Sequence, residues 1–174
     1  MNIQLSITKK TYYAIGIIAA ALSLAGSLLY VPGIYIPLPF TVASIGTGLM
    51  LLLLLAAGDV KSREGSFTFL ALLAQILYFF SGVLMKVCGA LVWPLFAFPI
   101  WRDTSDEGDD APLHTMAFVV MLAGAAQLLF SFVPLPRMWK ALLAVAISAC
   151  QAVLCWLLYG REKARQAGEA GQRE

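Results

Sequence analysis

Long apolar runs separated by short polar punctuation organise this chain. Residues 12–30, 41–57, 116–133 and 141–159 are each nearly continuous in apolar side chains, and about 20 such residues suffice for a helix to cross the hydrocarbon core of a bilayer. A further block, residues 67–101, is interrupted by a single charge, Lys86. Its 35 residues would make a helix of about 52 Å against a core of roughly 30 Å, so the length predicts that it turns back on itself. Residues 82–89 carry the glycines suited to that turn, and the return limb, 88–101, is short and holds Pro94 and Pro99. One crossing by this block, giving five spans, and a kinked or re-entrant limb are the alternatives.

Internal similarity supports a hairpin plan. At an offset of 102 residues, Val31, Pro32, Gly58, Lys61 and Arg63 coincide with Val133, Pro134, Gly160, Lys163 and Arg165. These residue types punctuate helices and fix membrane orientation. At an offset of 56, Gly26, Leu28, Val31 and Gly33 coincide with Gly82, Leu84, Val87 and Gly89. The expected plan is three tandem hairpins: residues 1–63, 66–102 and 115–160, with an acidic linker at 103–114 and a charged tail at 161–174. Pro32, Gly33, Lys86, Gly89 and Pro134 are the expected corner residues.

Charge distribution selects between five and six crossings. Six place nine basic residues (Lys9, Lys10, Lys61, Arg63, Arg102, Arg161, Lys163, Arg165, Arg173) on one side and three (Lys86, Arg137, Lys140) on the other, whereas five leave almost no bias. The positive-inside rule therefore favours six, with both termini cytoplasmic, and points to a bacterial inner membrane. Lys9 and Lys10 ahead of an apolar run also open signal peptides, but the run is long for one and no small-x-small site follows cleanly.

Composition agrees with the pattern. Hydrophobic residues make up 60% of the chain, charged residues 13%, and the mean hydropathy is +0.82, against about 45–50% and about 25% in soluble domains. The fold class expected is all-α, a polytopic transmembrane helical bundle forming a single integral membrane domain. A net charge of +2 is too small to suggest nucleic-acid binding.

Candidate chemistry is sparse. Cys88, Cys150 and Cys155 form no C-x-x-C and read as small apolar fillers. His114 stands alone at a span end without metal-spaced partners. No nucleophile beside a base and no phosphate-cradling glycine loop is present, so no enzyme activity, cofactor or metal is expected. Gln75, Gln127 and Gln151 place one amide in each of three spans, with Tyr78 one turn beyond Gln75; these groups should face the bundle interior, as interhelical ties or as the lining of a polar cavity. Gly16, Ala20, Ser23 and Ser27, and likewise Ala144, Ser148 and Ala152, form ladders of small residues suited to helix packing. Lys86 is expected to extend its ammonium to the headgroups. The acidic run at 103–110 lacks calcium-loop spacing and reads as a solvated linker.

Two family resemblances rest on short motifs. Gly82, Leu84, Lys86 and Gly89, together with Gly46 and Thr47, resemble the hairpin of the membrane motor subunit of bacterial gliding and type IX secretion and related small multi-hairpin proteins. The resemblance implies hairpin architecture rather than motor activity, because Gly48 occupies the place of that family's acidic residue and no His-Trp stands at a corner. The function expected first for the chain is a non-enzymatic accessory or assembly role through helix contacts, with other membrane subunits or a second copy as partners, and small-molecule transport is the alternative. Ala21-x-x-x-Ala25 on the first span, followed by the loop "VPGIYIPLPF", is similar to the substrate-binding component of energy-coupling-factor vitamin transporters. That resemblance implies small-molecule transport, with Ala21 and Ala25 as packing residues for an energising subunit.

Overall fold

The computed structural model describes residues 9–58, 62–80 and 82–171. Six α-helices fill it: α1 (Lys9–Tyr30), α2 (Pro37–Ala57), α3 (Arg63–Leu77), α4 (Val83–Asp103), α5 (Ala111–Phe132) and α6 (Arg137–Gly171). A single 3-10 turn, Gly108–Asp110, precedes α5, and no strand occurs among the described residues. All of these helices except α3 are long and apolar enough to cross a membrane.

Local chemistry sets the helix ends. At the first corner, the Gly33 N–H donates to the Tyr30 carbonyl (3.1 Å) and the Ile34 N–H to the Leu29 carbonyl (3.1 Å). With Gly33 at φ +100°, this pair of bonds is a Schellman cap, which requires a residue free of the Cβ penalty. Val-Pro-Gly thus ends α1, and Pro37 opens α2, where a missing N–H costs nothing. Ser62 caps α3 by accepting from the Gly65 N–H at 3.0 Å.

The chain winds up and down around a ring. Each helix packs chiefly on its chain neighbours, and α6 returns to pack on α1, closing the circle. The α1–α6, α1–α2 and α4–α5 seams are the most extensive; α2–α3 and α5–α6 are the sparsest. Small residues permit the close seams. A Cβ on Gly16 would overlap the sulfur atoms of Met50 and Cys155, and one on Gly124 would overlap the Pro94 ring. Pro94 cannot donate to the Ala90 carbonyl, and the missing Cβ of Gly124 leaves room for this carbonyl in the seam. Both prolines are accommodated within α4, which runs unbroken through Pro94 and Pro99.

The expected all-α bundle of six helices is present, with corrections to its details. Residues 67–101 do reverse, but between Leu77 and Val83. The reversal has Gly82 at φ +82°, while Lys86 and Gly89 lie inside α4. The short limb is α3, at 15 residues, because the apolar residues 78–80 leave the helix to form the turn. The offset of 56 therefore pairs a helix glycine with a corner glycine twice, and it marks no repeated corner. Gly26 and Gly89 serve close approach instead, Gly26 against Phe40 and Gly89 against the Tyr78 ring. The offset of 102 does superpose two corners, yet Gly160 ends no helix: α6 continues through it to Gly171, so residues 161–171 prolong α6. Lys61 and Arg173 lie outside the described residues.

Candidate functional site

A cavity of about 450 Å³ opens at the end of the ring that carries the three hairpin corners, and every helix contributes to its wall. The contributions follow one rule. Each helix places polar side chains on the stripe facing inward, three or four positions apart or two turns apart where there is more than one: Ser23 and Ser27 from α1, Ser44 and Thr47 from α2, Gln75 from α3 with Tyr78 just past its end, Lys86 from α4, Gln127 and Ser131 from α5, and Lys140, Ser148 and Gln151 from α6. Gly89, Trp93 and Ala144 complete the surface between them.

Within this lining some polar groups are committed to the protein and others face the open space. Ser23 and Ser148 share a hydroxyl hydrogen bond of 2.9 Å across the α1–α6 seam. Gln75 is buried and donates through Nε2 to the Ser44 carbonyl at 3.1 Å, tying α3 to α2. Ser27, Thr47 and Ser131 return their hydroxyls to carbonyls one turn earlier, on Ser23, Ala43 and Gln127. The side-chain amides of Gln127 and Gln151 line the cavity, and no buried side-chain polar atom among the described residues is left unpaired. Their amides are therefore wetted by the cavity rather than sealed in the packing. Lys86 holds its Nζ 5.7 Å from the centre of the Phe132 ring. No Asp, Glu or His belongs to the described lining, and no group of side chains suited to a metal ion occurs among the described residues.

Below the cavity the ring is closed. Met50, Leu51, Ala71, Leu154 and Cys155 have no exposed surface, and along their helices they fall between the cavity and a second hollow at the opposite end. That second hollow, also about 450 Å³, is lined by Lys9, Glu64, Asp103, Arg161, Glu162 and Arg165 with apolar neighbours such as Leu54 and Phe96. Two ion pairs flank it: Arg161 with Asp110 at 3.0 Å, and Arg63 with Asp103 at a loose 3.9 Å. His114 belongs to this end, its Nδ1 3.0 Å from the Thr104 carbonyl and its ring 5.7 Å from that of Trp101. Part of the acidic run is thus engaged with basic residues of α3 and α6.

Of the residues singled out in the sequence, the cavity collects Gln75, Tyr78, Gln127, Gln151, Lys86, Gly89, Ala144 and Ser148. Pro32, Gly33 and Pro134 lie at the first and third corners, where the Arg137 guanidinium rests against Gly33. Ala21 and Ala25 are exposed on the outer side of α1, so they pack on no helix of this chain; Ala19, Ala20 and Ser27 fill the inner side instead. Thr47 stands out in the sequence only within a family motif and Lys140 only as a charge, while Ser44, Ser131 and Trp93 do not stand out. For all but Trp93 the signal is a polar residue in helical register with an amide or a second hydroxyl on the same span. The chain matches no protein-family model, no curated protein and no solved structure, so the geometry of the ring carries the functional argument.

Proposed function

We propose that this chain is a small-molecule transport component of a membrane, taking a polar solute into the cavity at the corner end of the ring. One observation carries the reading: all six helices direct polar side chains to a single open space inside a bundle whose outer surface is apolar, with Ile18, Leu38, Leu129 and Trp156 each more than 60% exposed. Polar groups within apolar spans are costly unless partnered, and ties between helices would need only the seams. The volume suits a small solute. Two hollows on opposite ends, separated by a dry layer, also match what alternating access requires: a route open to one side at a time.

Six crossings follow if α3 completes its passage through the turn at residues 78–80. Both ends of the described chain then lie on one side, which the basic residues mark as cytoplasmic, in keeping with a bacterial inner membrane. The proposed role involves no bond-making chemistry.

The reading is tested by equilibrating detergent-purified protein with a metabolite extract of the native host and identifying retained solutes by mass spectrometry. Ala144→Trp, which fills the cavity, should abolish retention while the protein stays monodisperse. Equal retention by both proteins would refute the cavity as the binding site. A second reading, an accessory subunit assembling with other membrane proteins, draws on the outward Ala21 and Ala25 of α1, whose small side chains admit close approach by another helix. Co-purification in mild detergent separates the two: a stoichiometric membrane partner lost on Ala21→Leu supports assembly.

A further inference from the structure

The charge pattern around the cavity narrows what it binds. Lys86, Arg137 and Lys140 are the basic residues of the corner end, and all three belong to the cavity mouth or its immediate surroundings: Lys86 and Lys140 line it, and Arg137 lies against Gly33 beside it. Every described acidic residue, from Glu64 through Glu162, stands at the opposite end of the ring. Neither lining lysine has a carboxylate partner among the described residues, where the ion pairs found are those of Arg63 and Arg161. A one-signed opening with low-dielectric walls focuses its field outward and concentrates counter-ions.

The hydrogen-bonding inventory leads to the same class of ligand. Lysine ammonium groups donate and never accept, whereas the hydroxyls of Ser27, Thr47 and Ser131 have given their protons to the backbone and offer only acceptors, so Lys86 and Lys140 are the donors available to an anion at the mouth. Farther in, the Gln127 and Gln151 amides, which make no protein hydrogen bond among the described residues, offer both donors and acceptors. Trp93 and Tyr78 supply apolar faces beside them.

Resting on the reading of the cavity as a solute site, we propose that its ligand is a small organic anion, whose carboxylate or phosphate is held between Lys86 and Lys140 at the mouth while its body hydrogen-bonds to Gln127 and Gln151. A free solute and the headgroup of an anionic lipid share this chemistry.

The test uses the full-length protein in phosphatidylcholine nanodiscs at low salt. Equilibrium dialysis with succinate and glycerol 3-phosphate is compared with their uncharged counterparts succinamide and glycerol. A parallel set of nanodiscs contains phosphatidylglycerol, and the net charge of any host metabolite retained is recorded. An anion should bind in preference to its uncharged counterpart. Lys86→Gln and Lys140→Gln should each weaken it about fivefold, with the effect shrinking in high salt. Arginine at either position should restore binding, since it keeps the charge. Stability of these variants near that of wild type shows that folding is not the cause.

Retention of phosphatidylglycerol alone, lost in the same variants, supports anion recognition with the lipid as source. Binding of the uncharged compounds as tightly as the anions, or indifference to both lysine substitutions, overturns the assignment. Retention of an uncharged metabolite with no anion bound also overturns it and leaves the cavity reading standing. If neither charged nor uncharged solute nor anionic lipid binds, both readings fall.

Discussion

Gly124 on α5 is the position where a single methyl group tests the packing most severely. A Cβ there would lie 2.8 Å from the Ala90 carbonyl oxygen and would overlap the Pro94 ring. Neither neighbour can rotate away, since one is backbone and the other a ring closed onto backbone, so Gly124→Ala must push α4 and α5 apart. Overpacking of this kind costs about 1–3 kcal/mol, and the upper part of that range applies where the obstacle is rigid. Alanine returns about 0.5–1 kcal/mol through its better helix propensity, leaving a net loss of about 2 kcal/mol. For a chain of this length, a kilocalorie moves the melting temperature by about 2–4 °C, so Gly124→Ala should unfold about 4–8 °C below wild type.

Gly160→Ala is the built-in control, because nothing lies within 4 Å of a Cβ at Gly160. The same chemical change in mid-helix should then stabilise, by about 0.5–1 kcal/mol, and raise the melting temperature by about 2 °C. Both are read by tryptophan fluorescence during thermal unfolding of detergent-purified protein. Gly16→Ala should fall between them, since its obstacles are the side-chain sulfurs of Met50 and Cys155 rather than backbone or a ring. A melting temperature for Gly124→Ala equal to or above that of wild type would refute the close α4–α5 seam.

Other expectations concern the ties and the topology. Gln75→Leu removes the hydrogen bond to the Ser44 carbonyl and should cost about 0.6 kcal/mol, the average for interhelical bonds in membranes, and at most about 1.7 kcal/mol; thermal unfolding unchanged from wild type would show that α3 is held by packing alone. Arg161→Gln breaks a pair at 3.0 Å whose side chains are half exposed, so its effect should stay within about 1 kcal/mol and vanish in high salt; Arg63→Gln, at 3.9 Å from its partner, should be indistinguishable from wild type in the same assay. Single cysteines replacing Gly58 and Val83, which flank α3, in a background lacking Cys88, Cys150 and Cys155, should react with an impermeant thiol reagent from opposite sides of the membrane, and labelling from one side would contradict six crossings.

The helices were legible because apolar length and proline or glycine punctuation are local quantities. Val31-Pro32-Gly33 reads as a corner in sequence and is one in structure, its Gly33 held at a φ that other residues avoid. The middle corner was misplaced for a physical reason. Tyr78, Phe79 and Phe80 are as apolar as the helix before them, so hydrophobicity does not mark where α3 ends. Gly82 and Gly89 also serve different needs, one a positive φ and the other contact with a ring. Amides at Gln75, Gln127 and Gln151 stood out singly, but their convergence depends on how six helices are rotated about their axes. That rotation is set by glycine contacts across seams, such as Gly16 with Met50 and Cys155, between residues more than 30 positions apart. The stripe of Lys140, Ala144, Ser148 and Gln151 could be drawn from the sequence, whereas its partner across the seam, Ser23, could not.

The ring closes between the first helix and the last, and the α1–α6 seam is among its broadest. Translation delivers helices in order, so α1 enters the bilayer with a large, small-residue flank exposed to lipid and must keep it free until α6 arrives. Contacts of such long sequence separation form late, and a polar stripe waiting in hydrocarbon invites false partners in the meantime. The cavity therefore comes into being only once α6 is in place: a protein truncated before α6 would lack one wall of it and should be a substrate for membrane quality control rather than a weakened version of the whole.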